Sequence, residues 1–217
     1  MNIEQARFNM IAQQIRPWDV LDQGVLDLLE QVRREAFVPT AWRELAFADT
    51  EIPLGHDEVM MTPKMEARIL QELAIRPEDR ILEVGTGSGY LTALLAASGG
   101  HVTSIDIHPD FTAQAQARLL ACDITNVSLV TGDAALGWAS QTPWQAIVLT
   151  GSTPVLPDTF LQQLAIGGRL FAIVGDAPAM QAQRITRTTE QSWRTETLFE
   201  TCIRPLVHAQ QPQRFVF

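Results

Sequence analysis

The sequence predicts an α/β protein built on a doubly wound, mostly parallel seven-stranded sheet with helices on both faces. Three observations support this fold class. From residue 80 onwards, short apolar segments typical of buried strands alternate with segments of helical periodicity. A glycine-rich segment separates the first of these strands from its helix. The end of the chain has two strand-like segments around a polar turn, and the chain before residue 58 predicts an N-terminal helical cap.

Two amphipathic helices are expected in this cap, over residues 3–16 and 22–33. In the second helix apolar residues recur at helical spacing, and Asp22 is suited to the N-cap position. Residues 36–47 predict a short helical turn. Residues 48–55 predict an extended segment rich in turn-forming residues.

The remaining elements follow in regular order. A helix is expected to begin at Thr62 and Pro63, because threonine favours the N-cap and proline the first helical position. Buried strands are predicted over residues 80–84, 101–106, 126–133, 145–151 and 169–175. Helices are predicted over residues 90–98, 109–121 and 156–168. Residues 180–206 predict an antiparallel hairpin that closes one edge of the sheet.

Composition limits the classes of protein to which the chain can belong. One domain is expected across residues 1–217, with the cap in 1–57 and a core in 58–217, since 46% of the residues are hydrophobic and 19% charged. A net charge of −9 disfavours nucleic acid and anionic membranes as partners. Cys122 and Cys202 have no metal-ligand spacing, so neither a metal site nor a disulfide framework is expected. Without a secretory signal or a long apolar run, the expected location is cytoplasmic.

The segment "LEVGTGSGY" has the strand-to-helix context of a Rossmann-like ligand-binding loop. Its candidates for cofactor binding are Gly85, Thr86, Gly87, Ser88 and Gly89. The spacing is GxGxG, and Tyr90 stands where the dinucleotide fingerprint has its third glycine. The form resembles motif I of class I methyltransferases, which use S-adenosylmethionine.

Carboxylates at neighbouring strand ends fit the same cofactor. Asp106 ends the second strand, where a carboxylate can accept hydrogen bonds from the ribose hydroxyls. Asp133 follows the third strand and can accept from the adenine amino group, with Ile107 and Ala134 flanking the ring. Glu83 either reaches the amino group of the methionine portion or caps the loop. Both aspartates are also suited to capping local backbone turns.

Across nearly its whole length the chain resembles the protein-L-isoaspartate O-methyltransferases. The segments that carry the resemblance are "REAFVPTAWRELAFADTEIPLG", "RILEVGTGSGYLTALLA", "GDAALGWASQTPWQAIVLTGSTPVLP" and "FLQQLAIGGRL". The resemblance implies transfer of a methyl group from S-adenosylmethionine to the carboxylate of an isoaspartyl residue in a damaged protein or peptide.

The chain departs from this family in the loop "HDEVMMTPKMEA". The family's loop typically reads like "YGQTISQPYMVA", and its serine, which lies beside the substrate carboxylate, corresponds to Met61. A methionine has no hydrogen to donate to a carboxylate. Thr62, through its hydroxyl, and Lys64, through its charge, are the nearest substitutes. Thr62 is equally suited to capping a helix, and Lys64 to exposure in solvent.

Other functions stay open at this stage. The sequence is also compatible with a methyltransferase for a different acceptor, such as a small molecule, and with a protein that binds S-adenosylmethionine without catalysis. A nicotinamide dehydrogenase is a more distant alternative. The segment "TGSTP" disfavours methylation of amide or base nitrogens, which often uses Asp/Asn-Pro-Pro-aromatic at this strand end, and the sequence does not indicate an oligomeric state.

Overall fold

The computed structural model describes residues 2–212, so the two ends of the predicted domain lie outside the described residues. Its strands are β1 (Ile52–Gly55), β2 (Glu58–Met60), β3 (Arg80–Val84), β4 (His101–Asp106), β5 (Val127–Thr131), β6 (Trp144–Thr153), β7 (Leu164–Val174), β8 (Met180–Thr189) and β9 (Ser192–Thr201). A seven-stranded sheet has the order β5-β4-β3-β6-β7-β8-β9. Strands β3 to β7 pair in parallel, whereas β8 and β9 are antiparallel. The predicted fold class and its terminal hairpin are confirmed.

The helices are α1 (Ile3–Met10), α2 (Gln23–Gln31), α3 (Pro63–Leu73), α4 (Tyr90–Ser98), α5 (Pro109–Ala121) and α6 (Asp158–Gln163). Helices α4, α5 and α6 connect parallel strands, as the alternating sequence pattern predicts, whereas α1, α2 and α3 precede β3. None of the described helices is long and apolar enough to cross a bilayer.

Two hydrophobic cores lie on opposite faces of the sheet, because successive side chains of a strand alternate between faces. In β3, Ile81 belongs to one core and Leu82 to the other; in β6, Val148 and Ile147 divide in the same way. The first core includes residues of the cap, α3 and α4, and the second includes Phe160 of α6. This explains why these strands read as continuous apolar runs in the sequence.

The N-terminal cap keeps its helical character with shifted boundaries. The prediction for 3–16 becomes α1 followed by one π-helical turn and one 3₁₀ turn, which end at Asp19 with a positive φ of 59°. The Asp22 carboxylate caps α2 as predicted and accepts a hydrogen bond from the backbone N–H of Val25 at 3.1 Å.

A short hairpin of β1 and β2 leads into α3 and was not predicted. His56 and Asp57 form its two-residue turn with φ values of 53° and 60°, which is the backbone of a type I′ turn. Such turns usually carry Asn-Gly or Gly-Gly, so His-Asp gave no signal for them. The hairpin positions the segment "EVMMT", whose first three residues form β2, ahead of α3.

The last predicted helix, 156–168, is shorter in the structure. Helix α6 ends at Gln163, and β7 begins at the next residue instead of at Arg169. The prediction ended the helix at its glycines, whereas Gly167, with a φ of +79°, lies in an irregular segment of β7 where the pairing with β6 shifts. Gly167 tolerates a positive φ, and this allows the irregularity in β7; it does not end a helix.

Candidate active site

A cleft opens at the carboxyl ends of β3, β4 and β6 and encloses about 940 Å³ of space, part of it open to solvent. This is where the chain, after adding β4 and β5 on one side of β3, returns to add β6 on the other side. Such reversals in strand order leave a crevice in which α/β proteins bind ligands.

The glycine loop after β3 forms the floor of the cleft and needs its glycines for two reasons. Gly85, Gly87 and Gly89 have φ values of +98°, +51° and +84°, a region that side-chain-bearing residues avoid. A Cβ on Gly85 would lie 2.0 Å from Thr150 Oγ1, and one on Gly89 would lie 2.9 Å from the Cβ of Ala115. Gly85 and Gly87 line the cleft, whereas Gly89 lies behind it at the N-cap of α4.

Hydroxyl groups in and around this loop form hydrogen bonds that hold it in shape. Thr86 and Ser88 are buried and line the cleft. The Thr86 hydroxyl is 2.6 Å from that of Ser104, and the Ser88 hydroxyl accepts a hydrogen bond from the backbone N–H of Tyr90. Thr150 donates to the carbonyls of Val84 and Gly85, both at 2.9 Å. The loop is therefore held in shape by its own hydroxyl groups and by side chains of β4 and β6.

Asp106 organises the other side of the floor. One carboxylate oxygen accepts from the backbone N–H of Gly87 at 2.8 Å, and the other accepts from that of His108 at 2.9 Å. Asp106 is 6% exposed, and both it and Ile107 line the cleft. Each carboxylate oxygen has two lone pairs, so one on each oxygen remains for a ligand hydroxyl.

Asp133 and Ala134 line the cleft at the end of β5. One oxygen of Asp133 accepts from the backbone N–H of Ala135, and the other lies 2.7 Å from Nδ1 of His208. The hydrogen bond from Ala135, followed by that from His208, holds the pKa of Asp133 below its usual range. The carboxylate is thus charged at neutral pH, and its contact with His208 was not predicted from the sequence.

Glu83 lies at the inner end of the cleft and is completely buried. Its Oε2 accepts from the hydroxyls of Thr92 at 2.5 Å and Ser104 at 2.6 Å, while its Oε1 has no partner among the described residues. Burial raises the pKa of Glu83 to about 8, against the effect of the two hydroxyls. At neutral pH and without a ligand, this carboxyl is mainly protonated.

A buried ion pair supports the wall beside this acid. Arg34, 1% exposed, pairs with Glu66, 2% exposed, and Glu66 lines the cleft. The same guanidinium donates to the carbonyls of Ala46 at 2.9 Å and Met61 at 2.7 Å. Arg34 therefore joins the cap, the loop before α3 and α3 itself.

The three loop residues considered for catalysis lie in different surroundings. Met61 lines the cleft, and the neighbouring Met60 is buried in the first core. Thr62 occupies the N-cap position of α3, but its side chain makes no capping hydrogen bond. Lys64 Nζ lies 2.7 Å from Asp49 Oδ2, and neither Thr62 nor Lys64 is among the described residues that line the cleft.

Side chains at the rim offer the atom types that bind metals. His56, His108 and Asp110 have ligand atoms within 4.8 Å of one another. The two imidazole rings are stacked, with centroids 4.2 Å apart and planes 10° from parallel, and His56 Nε2 contacts both oxygens of Asp110. The in-plane lone pairs of two parallel rings do not converge on one point, so this arrangement is unsuited to binding a metal ion. Its contacts instead join the hairpin to the start of α5.

Comparison with known proteins agrees with this geometry. The family model for protein-L-isoaspartate(D-aspartate) O-methyltransferase (PCMT) matches residues 5–211. The chain belongs to this family. The family predicted from the sequence is therefore confirmed.

Relatives of the family match the chain over most of their length. A protein-L-isoaspartate O-methyltransferase 1 of Rhodopseudomonas palustris is 40% identical over 93% of this chain and 82% of its own length. One from Yersinia enterocolitica is 36% identical over 94% of this chain and 97% of its own. A solved family member from Plasmodium falciparum, in complex with S-adenosyl-L-homocysteine, superposes with a TM-score of 0.80 at 20% identity, covering 95% of this chain and 99% of the other. That likeness supports the fold.

Sequence reasoning found the family and the floor of the cleft, but missed other residues that line its walls. All the predicted cofactor-binding residues except Gly89 line the cleft. The lining residues that were not singled out include Glu51, Glu66, His108, Phe111 and Arg204. They come from segments far apart in the chain, and no local motif marks them.

Proposed function

We propose that this chain is an S-adenosylmethionine-dependent protein-L-isoaspartate O-methyltransferase that methylates the carboxylate of isoaspartyl residues in damaged proteins. The observation that carries the proposal is the family match across residues 5–211, joined to a cleft with the family's glycine loop at its floor.

The cleft fits S-adenosylmethionine by the chemistry of its side chains. The unpartnered, buried Oε1 of Glu83 suits an ammonium group, and the remaining lone pairs of Asp106 suit the ribose hydroxyls. The proposed cofactor-binding residues are Glu83, Gly85, Thr86, Gly87, Ser88, Gly89, Asp106, Ile107, Asp133 and Ala134. When bound, the cofactor supplies a methyl group carried on a positively charged sulfur.

The chain's own part in this chemistry is alignment. An α-type carboxyl has a pKa of about 3.5, so the acceptor is already an anion at neutral pH and no general base is required. The rate then depends on holding a carboxylate oxygen in line with the methyl group in a site from which water is excluded. Apolar residues Leu54, Val59 and Met61 on the hairpin side of the cleft serve that exclusion.

The altered loop has a defined place in the proposal. Met61 forms an apolar wall at the acceptor end, where the family's serine is expected. Thr62 and Lys64 act on the shape of the loop, a role supported by the N-cap position of Thr62 and the pairing of Lys64 with Asp49. A cytoplasmic location belongs to the same proposal and is supported by the free thiols of Cys122 and Cys202.

The test uses labelled S-adenosylmethionine and a synthetic peptide that contains one isoaspartyl residue. We expect a base-labile methyl ester on this peptide and none on the matched peptide with ordinary aspartate. Calorimetry with S-adenosyl-L-homocysteine runs in parallel. If the cofactor product binds but no ester forms above background, the proposed activity is wrong.

A methyltransferase for another acceptor is the second candidate, and Met61 is the residue that favours it. Its test is the Met61→Ser variant. If wild type is inactive and the variant methylates the isoaspartyl peptide, the loop has diverged to a different acceptor. If wild type is active and the variant changes kcat/KM by less than about threefold, Met61 does not decide the acceptor, since threefold corresponds to only about 0.7 kcal/mol.

A further inference from the structure

The described lining of the cleft has one strong cation. Among the described residues that line the cleft, Arg204 is the only arginine or lysine. The acidic lining residues are Glu51, Glu58, Glu66, Glu83, Asp106 and Asp133. Glu66 is paired with Arg34 and Glu83 is mainly protonated at neutral pH, so the other four residues repel an anionic acceptor, and a cation offsets that repulsion.

Backbone pairing holds Arg204 at the mouth of the cleft. The N–H of Ser152, near the end of β6, donates to the carbonyl of Arg204 at 2.9 Å, and Leu206 donates back to the carbonyl of Ser152 at the same distance. The guanidinium reaches across to the hairpin, where Nη1 donates to the carbonyl of Asp57. Arg204 therefore spans the opening between β6 and the β1–β2 hairpin.

Most of the hydrogen-bonding capacity of Arg204 remains available. A guanidinium has five N–H donors, and the contact with Asp57 is the one side-chain hydrogen bond that the described residues give it. Its planar fork matches the two oxygens of a carboxylate, which favours bidentate pairing. The side chain is exposed, so a ligand can reach it.

The other residues near Met61 do not offer the acceptor carboxylate a comparable donor. Met61 has no hydrogen to donate, and Thr62 and Lys64 are not among the residues that line the cleft. His108 does line it, with a buried Nε2 that has no partner among the described residues, but its ring is stacked on that of His56. Arg204 is therefore the one described lining residue that offers several free N–H donors together with a permanent positive charge.

We propose that Arg204 binds the acceptor carboxylate and takes the place of the serine that Met61 replaces. This inference rests on the proposed function. It names the residue that compensates for the changed loop, and it places that residue in the C-terminal segment instead of beside Met61.

The physical role of Arg204 follows from the charge of the acceptor. The carboxylate is an anion before methyl transfer and becomes a neutral ester only when transfer is complete, so its attraction to Arg204 is largely kept up to the transition state. A cation that binds the ground state and the transition state about equally captures and orients the acceptor but does not lower the chemical barrier. Loss of Arg204 therefore raises KM and leaves kcat nearly unchanged.

The experiment compares Arg204→Gln and Arg204→Lys with the control Arg194→Gln, whose side chain lies on β9 and is 65% exposed. For the isoaspartyl peptide we expect KM to rise about tenfold or more in Arg204→Gln, with kcat within about twofold of wild type. Arg204→Lys keeps the charge but loses the fork, so its KM falls in between. Arg194→Gln keeps wild-type values.

A second measurement separates carboxylate binding from support of the hairpin. Calorimetry compares the binding of two peptides to the protein saturated with S-adenosyl-L-homocysteine. One is the isoaspartyl peptide, called the acid peptide, and the other is an analogue with a carboxamide in place of the acceptor carboxyl. Wild type prefers the acid, and Arg204→Gln loses this preference. Equal weakening of both peptides, or a preference that survives in Arg204→Gln, overturns the inference.

The two proposals fail in different ways. If wild type forms no methyl ester although S-adenosyl-L-homocysteine binds, the proposed function is wrong. The acid-over-amide preference needs no turnover, so the role of Arg204 is judged by it in either case. Absence of that preference in wild type also overturns the inference.

Discussion

A single added methyl group at Gly85 provides a quantitative test of how the glycine loop is built. In Gly85→Ala the new Cβ would lie 2.0 Å from Thr150 Oγ1, and the backbone would have to keep a φ of +98°. The clash is relieved only if Thr150 rotates away, which removes its hydrogen bonds to Val84 and Gly85.

The cost has two parts. Alanine in this backbone region is strained by about 1–2 kcal/mol. Loss of the threonine hydrogen bonds, with a buried carbonyl left unpaired, costs about 1–2 kcal/mol more. The free energy of unfolding should therefore fall by roughly 2–4 kcal/mol, which for a chain of this length lowers Tm by roughly 4–16 °C.

The assay is urea unfolding of four proteins: wild type, Gly85→Ala, Thr150→Ala and the double variant. In the Thr150→Ala background the clash is already gone, so adding Gly85→Ala should cost only the strain of about 1–2 kcal/mol. Calorimetry with S-adenosyl-L-homocysteine checks the loop in each. The reasoning is refuted if Gly85→Ala costs the same with and without Thr150, or costs less than about 0.5 kcal/mol in wild type.

Three further predictions concern the carboxylates and the buried ion pair. The pKa of Glu83 is about 8 in the folded chain against an ordinary value of 4.5, so between these values the folded state holds a proton that the unfolded state has lost. The free energy of unfolding of wild type therefore falls as pH rises through this window. Measured by urea unfolding, Glu83→Gln should become increasingly stable relative to wild type from pH 5 to pH 8. A stability difference that stays constant with pH would contradict the raised pKa of Glu83. In Asp106→Asn only one side-chain oxygen remains as an acceptor, although two backbone N–H groups donate to this side chain in wild type. Calorimetry should therefore show that S-adenosyl-L-homocysteine binds about tenfold more weakly. Asp110→Asn, at the rim of the cleft, serves as the matched control. Arg34→Met leaves Glu66 buried without its partner and should cost about 3–5 kcal/mol in unfolding free energy, and adding Glu66→Met should recover part of it; no recovery in the double variant would show that the pair is not the cause.

The βαβ core could be predicted from the sequence because each of its elements has a local signal. Apolar runs in β3 and β6 indicate strands buried on both faces, and Pro109 begins a helix where expected. The glycine loop, Asp106 at the end of β4 and Asp133 just after β5 belong to the same short-range pattern. Their position at one edge of the sheet follows from the parallel topology alone.

Other features depend on contacts that no local pattern reports. Strand β2 has three residues and a turn without glycine, so its pairing with β1 is visible only in the folded chain. Arg34 and Glu66 are separated by 32 residues, and Arg204 reaches a carbonyl 147 residues away. Sequence reasoning therefore sought a substitute for the missing serine beside Met61 and overlooked the C-terminal segment.

The three contacts of Arg34 have a consequence for how this protein can be divided. The cap supplies the guanidinium that neutralises Glu66 and fixes the carbonyl of Met61, so the cap completes a wall of the cleft and does not merely cover it. A chain trimmed to start at residue 58 would leave the Glu66 carboxylate without its partner and expose apolar side chains that are buried in the intact protein. Removal of the cap therefore disrupts the site itself, although the seven-stranded sheet and its glycine loop lie entirely in the part that is kept.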